Sequence, residues 1–254
     1  MELHEFASRF DEELRVDAFA ELDASANGLQ VAPESGDIEH VAFAVDGVLE
    51  TAERAAETGA DALVVHHGLS WGGIERVTGQ SYRRIAPLVE HDVALYAAHL
   101  PLDAHPTLGN AAGVADVLGV RNRNPFGELG PEHVGLRGDI DATSALDVAA
   151  ELEAELDTGG EDVQVLDFGP DEIESVAVLT GSGADWLDEA ADAGVDALIT
   201  GEGKGKLYHE AKEAGISVFL AGHYATETFG VRSLMGLAEE WGLETTFLDA
   251  PTGL

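Results

Sequence analysis

The chain has 254 residues, with 13 Lys+Arg against 49 Asp+Glu and a formal net charge of −36. It holds no cysteine, which excludes disulfides, thiolate metal sites and a cysteine nucleophile, so any metal must be held by nitrogen and oxygen. At 45% hydrophobic and 24% charged residues, the composition is that of a folded globular protein.

The charge excludes further classes. Gripping a phosphate backbone takes clustered Lys and Arg, and basic residues here come no more than two together, as at Arg121 and Arg123. Nucleic acid is therefore not expected as a partner, and an anionic membrane surface would repel the chain. The carboxylates are spread along the whole length and lysine is limited to Lys204, Lys206 and Lys212. Two readings fit, an acidic partner-binding surface and a protein kept soluble in concentrated salt, where screening removes self-repulsion, and the even spread favours the second. Met1–Phe10 has no basic segment followed by an apolar run, and no apolar stretch approaches the ~20 residues of a membrane span. A cytoplasmic location is the expectation.

In chain order, the N-terminal segment to about Glu21 reads as a helix. Val41–Gly68 then reads as an apolar strand, an alanine-rich helix stopped by glycine, and a second apolar strand ending in His66-His67. Val93–Asp103 is a further strand that ends in His99-x-x-x-Asp103. Residues 121–174 hold a strand (His133–Ile140), a helix (Ala142–Leu156) and a strand (Val163–Phe168), punctuated by Gly127, Gly130, Pro131, Gly159, Gly160 and Pro170. Val176–Gly203 repeats the strand–helix–strand pattern, Ser217–Glu227 ends in His223-x-x-x-Glu227, and Trp241–Asp249 closes the chain as a strand.

Two of these segments are copies. Val41–Gly68 aligns without a gap on Val176–Gly203 at an offset of 135, with nine of 28 positions identical, among them Ala55/Ala190, Gly59/Gly194, Asp61/Asp196 and Leu63/Leu198. The His-x-x-x-carboxylate ends correspond as well, His99 with His223 and Asp103 with Glu227. The expected class is α/β: two related lobes with mainly parallel sheets and an internal βαβ duplication. The expected division is 1–120, completed by 225–254, and 121–224.

Chemistry-bearing residues gather at strand ends. His66-His67, His99 with Asp103, and His223 with Glu227 all fall at carboxyl ends of predicted parallel strands, so all can reach one crevice. Imidazole plus carboxylate suits Zn, Fe or Mn. Pro101 argues against a regular helix interior between His99 and Asp103. Other signals carry less. Gly203-Lys-Gly-Lys206 is followed by Leu207 and lacks the upstream glycine of a phosphate loop. Thr180-Gly-Ser-Gly183 fits a ligand-contacting loop or a plain strand-to-helix turn, and Ser182 has no nucleophile pattern. Trp71, Trp186 and Trp241 read as packing residues.

Asn27-Gly-Leu-Gln-Val31, His66-His67, His99-Leu-Pro-Leu-Asp103, Thr180-Gly-Ser-Gly183, Thr200-Gly-Glu202 and Gly222-His-Tyr-Ala-Thr-Glu227 occur in that order. In this the chain resembles the Nif-three-like family, whose members are often described as GTP cyclohydrolase 1 type 2 homologues. The resemblance implies a toroidal homohexamer of two-lobed α/β subunits, each with a dinuclear centre of divalent metal. By motif it places the ligands on His66, His67, Asp103, His223 and Glu227, with His99 close by. Unneeded for that minimum ligand set, His99 is the candidate general acid or base. The chain departs from the common pattern at Gly68, where a proline often stands, at Glu202, where aspartate is usual, and in a longer stretch between Gly203 and Leu207 before Tyr208-His209. The implied chemistry is metal-dependent hydrolysis of a small-molecule, nucleotide-like or phosphoester substrate. Metal holding, delivery or regulation without turnover is the alternative. Against a triphosphate substrate stands the net charge, which Arg76, Arg83 and Arg84 could offset locally.

Overall fold

The structure is a computed structural model that describes residues 1–253. Helix α1 (Leu3–Leu14) opens the chain, with the Glu2 carboxylate accepting from the backbone N–H groups of His4 and Glu5. Strands β1 (Gly28–Val31) and β2 (His40–Asp46), helix α2 (Leu49–Thr58), strand β3 (Ala62–His67), helix α3 (Gln80–Glu90) and strand β4 (Ala94–Ala97) follow. Next come two short helices, α4 (Leu100–Asp103) and α5 (Asn110–Val117). Strands β5 (Arg121–Leu129) and β6 (Glu132–Thr143), helix α6 (Ala145–Glu155), and strands β7 (Gln164–Leu166) and β8 (Ile173–Val178) lead into helix α7 (Leu187–Ala193). The chain ends with β9 (Ala197–Thr200), α8 (Leu207–Ala214), β10 (Ser217–Leu220), α9 (His223–Thr226), α10 (Thr228–Glu240) and β11 (Glu244–Phe247).

Two compact units result. One comprises Met1–Leu102 with Gly230–Ala250; the other comprises Asp103–Phe229 with Pro251–Leu254. The first carries a five-stranded sheet of order β1-β4-β3-β2-β11, parallel except for the antiparallel edge strand β1. The second carries a six-stranded sheet of order β5-β6-β8-β9-β10-β7. Its centre, β8-β9-β10, is parallel, and its flanking pairs are antiparallel. The class is thus α/β with mainly parallel strands. Helix α5, inside the 1–120 span read from sequence, packs with Ala111, Ala112, Val114 and Ala115 in the core of the second unit.

The duplication is visible in three dimensions. β4-β3-β2 and β10-β9-β8 have the same order and direction, with a fully buried apolar run in each central strand, Ala62–Val65 and Ala197–Ile199. The identities in the alignment now have causes. Gly59 and Gly194 both end their helices in the left-handed region, at φ 72° and 70°, where a side chain would be strained. Asp61 Oδ2 accepts from the backbone N–H groups of Glu39 and His40 at 2.8 and 2.9 Å; Asp196 Oδ2 accepts from Glu174 and Ser175 at 3.0 and 2.9 Å. Each carboxylate therefore pins the start of the neighbouring strand at the same offset. Ala55, Ala190, Leu63 and Leu198 are wholly buried.

In the first unit, Phe6 and Phe10 of α1 pack edge to face at 5.0 Å, and Phe10 reaches Tyr96 of β4 and Trp241. The Tyr96 hydroxyl donates to Asp11 at 2.8 Å. Burial pushes the Asp11 carboxyl up, with the Tyr96 bond only partly offsetting it. Among the described residues no helix is long and apolar enough to cross a membrane.

Candidate metal centre

The first unit holds an imidazole cluster. His66 and His67 are the last residues of β3, and His99 follows β4, the next strand of the same parallel sheet. Their ring centroids are 4.7 Å (His66–His67), 5.1 Å (His66–His99) and 5.6 Å (His67–His99) apart. One nitrogen of each lies within 4.8 Å of the others. His66 is fully buried, while the His67 and His99 side chains keep 19% and 21% exposure.

Each of the three rings is held by its Nδ1. His66 Nδ1 faces the Ala98 carbonyl oxygen at 2.9 Å, His67 Nδ1 faces Asp46 Oδ1 at 2.9 Å, and His99 Nδ1 faces Asp23 Oδ1 at 2.9 Å. Such acceptors fix the neutral tautomer with its proton on Nδ1 and its lone pair on Nε2, the arrangement that metal-ligating histidines use. Asp23 is the most elaborately placed of these groups. It also accepts from the Ser25 and Leu100 backbone N–H groups at 2.8 and 3.0 Å and from the Asn27 amide at 2.9 Å. Burial pushes its carboxyl up, but the His99 imidazole and the other donors outweigh that and hold it below the usual range.

The Asn27-to-Val31 motif now has a physical role. Asn27 Oδ1 accepts the His99 backbone N–H at 2.7 Å, and Gln30 Oε1 accepts that of Leu69 at 2.6 Å. A Cβ at Gly68 would run into the Gln30 side chain, so glycine follows the histidine pair here because Gln30 lies against it. Trp71 differs from the packing role expected of it: it is 47% exposed and meets His99 edge to face at 4.9 Å.

The second unit holds a separate group of carboxylates and one imidazole. Asp103 ends α4, a single turn in which Pro101 is tolerated because a first-turn N–H has no intrahelical partner. Its Oδ1 accepts from the buried Asn110 amide at 2.8 Å and from the Thr180 hydroxyl at 3.4 Å. An oxygen of Asp103 lies within 4.8 Å of one of Glu227. His223 opens α9 after Gly222 (φ 92°), and its Nε2 lies 3.2 Å from Glu227 Oε2. Glu202, whose role the sequence left open, receives a hydrogen bond from Ser182 and faces His223 Nδ1 at 3.4 Å. Burial works against protonation of His223, but Glu227 and then Glu202 overcome it and raise its pKa to about 9. His209 is exposed on α8, edge-on to Tyr208.

Thr180–Gly183 connects β8 to the following helical turn and runs against two of the candidate residues. Gly181 has φ +58°, and a Cβ there would overlap Glu227 Oε1 and stand 3.2 Å from His223 Nε2. The residues missed from sequence are Asp23 and Asp46. Asp46 occupies the place equivalent to Gly181 in the other copy, 135 apart, and that correspondence could have drawn attention to it.

Within each unit of this α/β protein, oriented imidazoles or buried carboxylates form groups that could hold a metal ion. The family model for Duf34/NIF3 (NGG1p interacting factor 3) matches residues 1–252, and the chain belongs to that family. It is 60% identical to the GTP cyclohydrolase 1 type 2 homolog of Halobacterium salinarum over 255 residues, covering 100% of both chains. It is 43% identical to the homolog of the same name from Archaeoglobus fulgidus, again with 100% of both covered. The crystal structure of TTHA1606 from Thermus thermophilus superposes with a TM-score of 0.90 at 38% identity, covering 100% of each chain.

Proposed function

We propose that the protein holds two divalent ions, Zn, Fe or Mn, on His66, His67, Asp103, His223 and Glu227, and acts as a metal-dependent hydrolase on a small nucleotide-like or phosphoester substrate. The observation that carries this is the state of the imidazoles. His66, His67 and His223 each turn Nδ1 toward an oxygen, at 2.9, 2.9 and 3.4 Å, which directs Nε2 to a metal. The donor set, imidazole nitrogen with carboxylate oxygen, fits these ions.

When bound, such ions polarise an acyl, imine or phosphoryl oxygen and acidify a water. The chain's own groups do the rest. His99, held through Nδ1 by the buried Asp23, offers Nε2 to take a proton from the attacking water and return it to the leaving group. Asn110 and Thr180 fix Asp103, and the missing side chain at Gly181 leaves room for Glu227.

A second reading, metal holding or delivery without turnover, draws on the partial exposure of His67, His99 and His223, at 19%, 21% and 28%. Metal analysis of protein purified without an affinity tag, followed by a hydrolysis screen of nucleotides and phosphoesters, separates the two. Two metal equivalents with turnover that His99→Gln abolishes supports the hydrolase. Two equivalents without turnover supports delivery, and no metal overturns both. The assembly we propose is a homohexamer; light scattering in high salt that returned one chain mass would refute it.

A further inference from the structure

Within the first unit, the start of α2 and the first turns of α3 enclose a cleft of about 230 Å³. Val48, Leu49 and Glu50 form one wall, and Gln80, Arg83 and Arg84 the other. The balance of charge is positive: two arginines face one carboxylate, Glu50, which itself lies 3.4 Å from Arg54. In a chain with 49 carboxyl residues and 13 basic ones, a basic group ordinarily finds an acidic neighbour, as Arg9, Arg121 and Arg123 do. Among the described residues neither Arg83 nor Arg84 has an ion-pair partner.

Two like charges lining one cleft repel each other, and an anion between them replaces that repulsion with attraction. Each guanidinium offers a planar fork of N–H donors that matches the oxygens of a phosphate, and the Gln80 amide adds another donor. On the facing wall Val48 gives α2 no side-chain cap, which leaves the first-turn N–H groups unspent there. The place of the cleft in the fold matters as much. Val48 is two residues beyond Asp46, which pairs with His67 across β2 and β3 and holds its Nδ1 at 2.9 Å. The cleft and the imidazole cluster therefore share the carboxyl edge of one parallel sheet, where α/β proteins seat their ligands.

We propose that this cleft is a subsite for the phosphate of a small phosphate monoester, gripped by Arg83 and Arg84 while the rest of the molecule extends toward the imidazoles. The phosphate is then the group that is recognised, and a different bond of the ligand is the one that reacts. The inference rests on the proposed hydrolase reading only for what happens at the far end of the ligand, since gripping the phosphate uses no metal.

The probe is phenyl phosphate, with neutral phenol as its control, titrated into the full chain in molar potassium chloride and followed by ligand-observed NMR. Metal content is counted on the same samples, and each titration is repeated after chelation. The expected result is saturable binding of phenyl phosphate roughly tenfold or more tighter than phenol, kept after chelation and weakened by about the same factor in Arg83→Gln and in Arg84→Gln. Arg83 is exposed, so its variant keeps the test open if that of the half-buried Arg84 fails to fold. Arg76→Gln removes the same charge from outside the cleft and should change binding by less than about twofold in screening salt. An equal loss in Arg76→Gln, phenol binding as well as phenyl phosphate, indifference to both cleft substitutions, or no binding would each overturn the subsite. Binding that vanishes on chelation and ignores the arginines would put the phosphate on the metal, sinking the subsite and leaving the metal reading intact. Arginine-dependent binding in protein that carries no metal as purified would support the subsite and overturn the metal reading.

Discussion

Replacing Gly181 with alanine tests the metal centre through its backbone. At φ +58° an alanine costs about 1 kcal/mol relative to glycine. The new methyl would also overlap Glu227 Oε1. The backbone cannot give way easily, because Gly181 N donates to the Thr226 hydroxyl at 3.2 Å and Gly181 O accepts from the N–H groups of Gly201 and Glu202, both at 2.9 Å. The carboxylate must therefore retreat, by roughly 1 Å, whereas a metal–ligand bond tolerates about 0.2 Å. A loss of about 10- to 100-fold in metal affinity is expected, the range seen when a ligand's support is removed. Competition with a chromogenic chelator measures the affinity, and urea unfolding of the metal-free protein measures the backbone cost separately. Wild-type metal affinity in Gly181→Ala, with the backbone cost present, would refute the assignment of Glu227 as a ligand.

Three other outcomes are expected. Glu227→Gln should lower the occupancy of both ions, because one amide oxygen cannot bridge as a carboxylate does, while His66→Ala should empty mainly one; metal counting on intact oligomer decides, and full two-metal loading in Glu227→Gln ends the bridging idea. In the metal-free protein His223 titrates near 9 against an ordinary 6.5, so its stabilising contribution is whole below about 6.5 and fades as pH rises through 9; urea midpoints from pH 6 to 10 should fall in the wild type and stay flatter in His223→Gln. With 49 carboxyl residues against 13 basic ones, the fold should loosen as salt drops from molar to dilute, where charges repel across ~10 Å or more; unchanged compactness and thermal midpoint throughout would count against salt adaptation.

The parallel strands were legible in the sequence because burial on both faces writes continuous apolar runs such as Ala62–Val65, and because glycine stops the helices before them. Strand β5 was not. Arg121–Asn124 is exposed and polar, and its extended form comes from pairing with β6 across a register irregularity between Arg121 and Asn124. At the candidate site, His66, His67, His99, Asp103, His223 and Glu227 could be picked out because each ends or follows an apolar strand. Their supports could not. Asp23 is one of 49 acidic residues, and what distinguishes it is a fold that brings it to His99, 76 positions away.

Those supports bear on how quickly and how tightly an ion can be taken up. An unsupported imidazole must give up rotational freedom when it ligates, at about 0.5–1.5 kcal/mol for each immobilised side chain. Ala98 and Asp46 immobilise His66 and His67, the first unit's two proposed ligands, as the chain folds. For two rings the saving is on the order of 2 kcal/mol, roughly 30-fold in affinity, met before any ion would arrive. Capture on the proposed ligands would then need less ordering of the protein, so that folding of the first unit and its share of the metal affinity would be linked.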